Sequence, residues 1–215
     1  MLKTRLKVTL QWIALWIALF LAIISLVIFL TINSVWLYWL NVKLGHLSKI
    51  VQVSTGRIIR NYLQLLGYLQ LPWITRLDMM DFPTSPSGLQ HFIDVKHLFL
   101  LNNGVLIVTI WPAIHFLRSL SVKKMLWKLI RPFQIAAVVP VLAALLMLVN
   151  FNQFFIDFHK VLFRNSDWLF DPRFDPVILV LPESFFSQCF LLAFGLFELI
   201  ILWGVWRGRR SFLGK

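Results

Sequence analysis

The sequence predicts an all-α fold, a polytopic membrane helix bundle with four transmembrane helices plus an extracytoplasmic amphipathic helix. Three observations carry this expectation. Apolar residues fill 59% of the 215 positions and charged ones only 14%. The apolar residues are gathered into runs close to the ~20 residues that a helix needs to cross a bilayer. The cations then flank those runs unevenly, as cytoplasmic loops rich in Lys and Arg do. The expected organisation is a single integral membrane domain over 1–215, with spans at about 10–32, 98–117, 133–151 and 184–206 and extracytoplasmic segments 33–97 and 152–183.

Lys3, Arg5 and Lys7 precede the first run, Leu10 to Ile32. A secretory signal has a shorter core and a small-residue cleavage site, whereas this run continues into Asn33-Ser34-Val35-Trp36-Leu37-Tyr38-Trp39. It reads as an uncleaved anchor whose outer end carries an aromatic belt. Hydropathy falls from Val42 to Arg76. There Ile58, Ile59, Tyr62, Leu65, Leu66 and Leu69 recur at three and four, predicting an amphipathic helix over Ile50 to Leu71 along the membrane surface. Gly56 and Gly67 suggest bends, Pro72 an end, and Asp81 to Gly88 a loop. Ser87 reads as the N-cap of a helix that runs through His91 and Asp94 into the second span, Leu98 to Leu117. After the cluster Arg118, Lys123, Lys124, Lys128 and Arg131, Pro132 opens the third span, Phe133 to about Phe151. The stretch Asn152 to Glu183 is polar, with turns at Asp171-Pro172 and Asp175-Pro176. The fourth span, Ser184 to Trp206, ends in Arg207, Arg209, Arg210 and Lys215.

Sorting the charges sets the expected topology. With both termini in the cytoplasm, that side holds twelve basic residues and no acid, matching the net charge of +12. The outer segments hold nine basic residues and eight acids, and Glu198 alone lies within a span. The basic balance is thus a matter of topology, and nucleic-acid binding is not expected.

His91, Asp94, His97, Asp157, His159, Asp167, Asp171, Asp175 and Glu183 all then fall outside, near the lipid headgroups. His91 and Asp94, three apart, share a helix face. Asp157 and His159, two apart, do not unless the backbone is irregular. The plain reading of each pair is a histidine satisfied by a nearby carboxylate at a helix end. Two such clusters on one side of the membrane favour function, because polar groups buried near lipid are costly. His46 and His115 lack such company.

No nucleophilic-serine elbow, P-loop, dinucleotide fingerprint or His-Glu-x-x-His motif occurs. The single cysteine, Cys189, has no basic neighbour and reads as core packing. Acid–base work by the histidines or a metal remains. His91 and His159 with one or two of Asp94, Asp157 or Asp171 could form a zinc site, though the spacing matches no established pattern.

The block His91-Phe92-x-Asp94-Val95-Lys96-x-Leu98-Phe99 and the block from Phe158-His159 through Asn165-x-Asp167-Trp168-Leu169-Phe170-Asp171-Pro172 to Asp175-Pro176-Val177-Ile178 resemble the small four-span bacterial membrane proteins that include lipoprotein intramolecular transacylase. Asn33-Ser34-x-Trp36-Leu37-Tyr38 and Leu181-Pro182-Glu183-x-Phe185-Phe186 are similar too, so the resemblance covers most of the chain. It implies an acyltransferase of the Gram-positive plasma membrane whose substrate is a diacylated lipoprotein presented in membrane lipid. The sn-2 acyl chain of the S-diacylglyceryl cysteine would move to its α-amino group, giving the lyso, N-acylated form. It also implies that His91 and His159 are catalytic and that the active site faces away from the cytoplasm.

The residues meet the needs of such chemistry by a separate route. An α-amine with a pKa near ~7.7–8.0 needs a base as it attacks, and the leaving glyceryl oxygen needs an acid. Histidines suit both tasks. Backbone N–H groups near Ser87-Gly88 are candidate donors to the oxyanion. Amine and ester share one molecule, so proximity supplies rate, with no cofactor and no metal required. Water must be kept out. The amphipathic segment and Trp168-Leu169-Phe170 are the expected roof, and Asp94, Asp157, Asp167 and Asp171 the expected supports for the imidazoles. Two alternatives stay open. One is a metal-dependent hydrolase of lipid headgroups. The other is a scaffold or transporter, for which Glu198 and Asn102-Asn103 speak.

Overall fold

The computed structural model describes residues 2–213, with side chains from 9 to 211. Lys3, Arg5, Lys7 and Lys215, part of the expected cytoplasmic charge, have side chains outside that range. No strand occurs among the described residues. The helices are α1 (Leu2–Ile32), α2 (Val35–Leu44), α3 (Leu47–Val51), α4 (Thr55–Gln70), α5 (Pro86–Val122), α6 (Ile130–Val149), α7 (Phe151–Leu162) and α8 (Glu183–Leu213). Four stretches among the described residues are long and apolar enough to cross a membrane: Thr9–Ile32, Pro86–Val122, Leu126–Val149 and Glu183–Ser211. This is a membrane-integral helical protein.

The helices are distributed over two compact units. One comprises Met1–Thr31, Asn102–Leu145 and Leu192–Lys215, the other Ile32–Leu101 and Leu146–Leu191. The first is held by an apolar cluster: Leu19, Ala22 and Ile23 of α1, Ala113, Phe116 and Leu120 of α5, Phe133 of α6, and Ile201 and Val205 of α8. Phe133 lies where a Cβ on Gly204 would sit, so only glycine lets α6 approach α8 this closely. Trp16 meets Phe116 edge-on at 5.2 Å. Asn102, a candidate pathway residue, donates its amide to the Ser25 carbonyl at 3.2 Å, tying α5 to α1. An open groove of about 290 Å³ between α6 and α8 is lined by Gln134, Ile201, Val205, Trp206 and Arg209 among others, and no histidine borders it.

The second unit is built around aromatic rings and buried amides. Tyr38 of α2 stacks on Tyr62 of α4 at 3.8 Å, Phe185 of α8 closes on both edge-on, and the Tyr38 hydroxyl donates to the Val180 carbonyl at 3.0 Å. Burial pushes both phenols above their usual range, Tyr38 further through Tyr62 and Tyr62 further through Cys189. Asn41, buried, donates to Gln188 at 2.7 Å. Leaving such amides unpaired costs about 1–3 kcal/mol each. The amphipathic segment folds as expected in character but starts later. A break at Gln52, in the left-handed region at φ 53°, separates α3 from α4. Gly56 and Gly67 lie inside α4 rather than at bends. Its inner face is Ile58, Asn61, Tyr62, Leu65, Leu66, Tyr68 and Leu69. The presence of Asn61 there is explained by Asp81, which accepts from Asn61 at 2.6 Å and pairs with Arg57. Those partners, Arg57 first and Asn61 next, hold the Asp81 carboxyl below its usual range.

Two local expectations are corrected. Ser85, not Ser87, caps α5: its hydroxyl accepts from the Gly88 N–H at 3.0 Å, and Pro86 occupies the first helical position, where a missing N–H costs nothing. The expectation of a single amphipathic helix outside the spans is incomplete, because the polar stretch after the third span opens with another. Asn150 caps a new helix, α7, by accepting from the Gln153 N–H, and Phe151, Phe154, Phe155, Phe158 and Leu162 form its apolar stripe.

Candidate active site

The second unit brings His91 and His159 together. At 37 residues, α5 is far longer than the ~20 a span requires. Its first turns, ahead of the apolar run, carry His91. In α7, His159 is the one buried residue, between Phe158 and Lys160 in sequence. The imidazole centroids are 5.9 Å apart, and each histidine is only 8% exposed. Aromatic rings make the walls. Phe163 meets His91 edge-on at 4.9 Å, Phe170 does so at 5.5 Å, and Trp168 lies along His159 at 4.9 Å and 31°. Phe155, one turn earlier in α7, is 4.2 Å from His159.

Hydrogen bonding distinguishes the two rings. His159 Nδ1 lies 2.7 Å from the Phe155 carbonyl. A carbonyl only accepts, so Nδ1 carries the hydrogen and Nε2 keeps its lone pair, poised as a base. Burial pushes the His159 pKa down, against a smaller upward pull from that carbonyl, so the neutral form prevails at neutral pH. His91 Nδ1 is buried with no hydrogen-bond partner. A buried nitrogen left open in this way is costly, and a bound substrate group would satisfy it.

The candidate supports are placed differently. Asp94 accepts from Gln90 at 3.0 Å and from the Asn165 amide at 2.9 Å. The Asn165 carbonyl in turn accepts from the Trp168 indole N–H at 3.0 Å. Asp94 therefore steadies the loop that lays Trp168 along His159. Asp157 faces away from His159 on α7, as its offset of two residues demands, and accepts from Gln153 at 2.9 Å. Asp167 is half-buried, its N–H on the Asn165 side chain at 3.3 Å. Asp171 is bound to Arg173, which holds its carboxyl down to about 2. Among the described residues no three His, Cys, Asp or Glu side chains gather as metal ligands, so the zinc set is not assembled. Nor is the Gly88 N–H open to an oxyanion, because Ser85 occupies it. Phe163, Asn165 and the Phe155 carbonyl complete the site, and the sequence assigned none of them a role there. Asn165 had no periodicity to mark it, whereas the stripe of α7 was there to be read.

The family model for "Lipoprotein intramolecular transacylase Lit" matches residues 13–186. The chain belongs to the Lit family. Among solved structures it is similar to the in meso structure of the membrane integral Lit from Bacillus cereus, with 26% identity, 96% of each chain covered and a TM-score of 0.89. Two variants of that Lit, with one histidine changed to arginine or alanine, share the fold at 24% identity and a TM-score of 0.80, covering 99% of this chain and 96% and 98% of theirs. No curated protein sequence matches the chain. Membership of the Lit family makes the chain an acyltransferase, a lipoprotein intramolecular transacylase.

Proposed function

We propose that this transacylase moves the sn-2 acyl chain of an S-diacylglyceryl cysteine to the α-amine of the same cysteine, with His91 and His159 handling the proton. The observation that carries this reading is the pair itself: two buried imidazoles 5.9 Å apart, one with its Nδ1 hydrogen tied down and the other with its Nδ1 unpartnered. In the reaction the amine nitrogen attacks the ester carbonyl, a C–N bond forms, and His159 Nε2 takes the proton that the nitrogen sheds. The tetrahedral centre collapses with loss of the C–O bond, and the glyceryl oxygen receives that proton back from imidazolium. His91, open at Nδ1, bonds the substrate headgroup in its folded conformation. Ester becomes amide and no atom is gained or lost.

The aromatic walls support the choice of transfer over hydrolysis. Phe163, Phe170 and Trp168 surround the rings with apolar surface, which keeps water from competing with an amine already held beside its ester. Charge supports the topology. All twelve basic residues of the first unit, with Glu198 as its single acid, fit a cytoplasmic placement of both termini, leaving the histidine pair to the outer face of the bacterial plasma membrane.

The test follows from the atom balance. In a host lacking native N-acylation, the N-terminal peptide of a lipoprotein keeps its total mass on expression of the wild type but loses its free α-amine, and fragmentation places one acyl group on nitrogen. A peptide that retains its amine sinks the reading, and one lighter by an acyl chain points to a hydrolase.

A further inference from the structure

We propose that Asp175 is a positioning residue for the acyl transfer: by clamping Ser85, the N-cap of α5, it holds His91 against the aromatic wall carried by the loop before it. Asp175 is 2% exposed, among the most buried polar residues described. Its Oδ1 accepts from the Ser85 N–H at 2.8 Å and its Oδ2 from the Ser85 hydroxyl at 2.7 Å. The same hydroxyl accepts from the Gly88 N–H, so the carboxylate, the cap and the first turn of α5 form one hydrogen-bonded unit. A Cβ on Gly88 would overlap Asp175 Oδ1, which leaves glycine as the residue that admits the clamp. The ion pairs of this unit lie elsewhere, at Arg57–Asp81 and Arg173–Asp171. Burying a carboxylate with neutral donors is expensive, more than fastening a loop demands, and the start of α5 offsets part of the cost.

What the clamp joins gives it a role. Ser85 precedes His91 by less than two helical turns. Asp175 closes the turn after Phe170 with its own N–H on the Asp171 carbonyl at 2.8 Å, and Phe170 stands edge-on to His91 at 5.5 Å. The two ends of the hydrogen-bonded pair are thus continuous with an imidazole and with the ring that shields it. Slack here parts the two and admits water. Water would then attack the ester carbonyl in place of the amine, releasing a free fatty acid and a lyso lipoprotein that keeps its amine.

This inference rests on the transacylase reading, and the experiment separates their failures. Wild type, Asp175→Asn, Ser85→Ala and Ser85→Thr are expressed in full length in the host described above, folded protein is quantified in the membrane, and two peptide products are counted: the N-acylated isomer and the species lighter by an acyl chain. The expected result is a shift of the transfer-to-hydrolysis ratio by about tenfold or more toward hydrolysis in Asp175→Asn and Ser85→Ala, with Ser85→Thr close to wild type. Ser85→Ala keeps the backbone bond to Asp175 and carries the test where Asp175→Asn accumulates poorly. An unchanged ratio with total product tracking folded protein overturns the proposal, as does failure of both variants to accumulate, since either assigns the clamp to folding alone. A wild type that yields no N-acylated isomer sinks the transacylase reading instead.

Discussion

The unit formed by Met1–Thr31, Asn102–Leu145 and Leu192–Lys215 carries twelve basic residues and one acid, whereas the unit formed by Ile32–Leu101 and Leu146–Leu191 carries nine basic residues and eight acids. Their interiors differ in the same sense. Among the described residues of the first, the buried polar ones are Ser25 and Thr109, and Thr109 simply returns its hydroxyl to the Val105 carbonyl at 2.7 Å. In the second they are Asn41, Asn61, His91, His159 and Asp175. The amides and Asp175 are satisfied by protein partners, but the His91 Nδ1 is not. Burial of polarity marks the second unit as specialised. Gln64 Oε1 in the same unit is unpartnered as well, so what distinguishes His91 is that its open nitrogen belongs to a ring 5.9 Å from a second buried imidazole.

Substitutions in the two units should therefore fail in different ways. The largest effect is expected from His159→Gln, which lowers N-acylation about 10²–10⁴-fold while the protein still folds. Phe133→Ala, in the apolar unit, should do the reverse, costing about 3–5 kcal/mol in thermal or denaturant unfolding but leaving turnover per folded molecule intact. Equal loss of per-molecule activity in both would break the comparison. Asn41→Ala removes the bonds to Leu37 and Gln188 and should destabilise by about 0.5–1.5 kcal/mol, again without altering the product.

The pH profile sharpens the account further. The His159 pKa is depressed by burial, so neutral imidazole persists below the ordinary value of ~6.5. Turnover should first fall with unit slope as the substrate amine protonates near ~7.7–8.0, and a second slope should appear only below ~6.5. A second slope above ~6.5 would contradict it. The linked stability has the same sign: present in full above the unfolded-state value, it is lost as pH falls through the depressed one. Smallest of all is Asp157→Asn, which should leave activity within about twofold, because that carboxylate points away from the imidazoles.

The spans were legible because hydropathy and charge asymmetry are long-range averages that no single contact overrides. Nearness to an apolar run gathered nine titratable residues and left each histidine a plain reading, and it was the resemblance of their two blocks to the family that set His91 and His159 apart. Details set by one hydrogen bond were harder. Ser85 and Ser87 are equally good caps by residue type, and Pro86 at the first helical position together with Asp175, ninety positions away, decides between them. Asp157 drew attention through nearness in sequence to His159, yet helical geometry turns it outward, and the stripe of Phe151, Phe154, Phe155 and Phe158 carries that helix in the sequence. Asn165 belongs to the site only through the loop that carries Trp168.

The most direct test of the central claim compares His91→Ala, His159→Ala and the double variant by fragmentation of the lipoprotein N-terminal peptide, with membrane content measured alongside. If the two histidines act as one proton-handling unit, both single variants fall to nearly the level of the double, and all three reach the membrane in wild-type amount. A single variant that keeps near-wild-type N-acylation, or losses that multiply in the double, would contradict it.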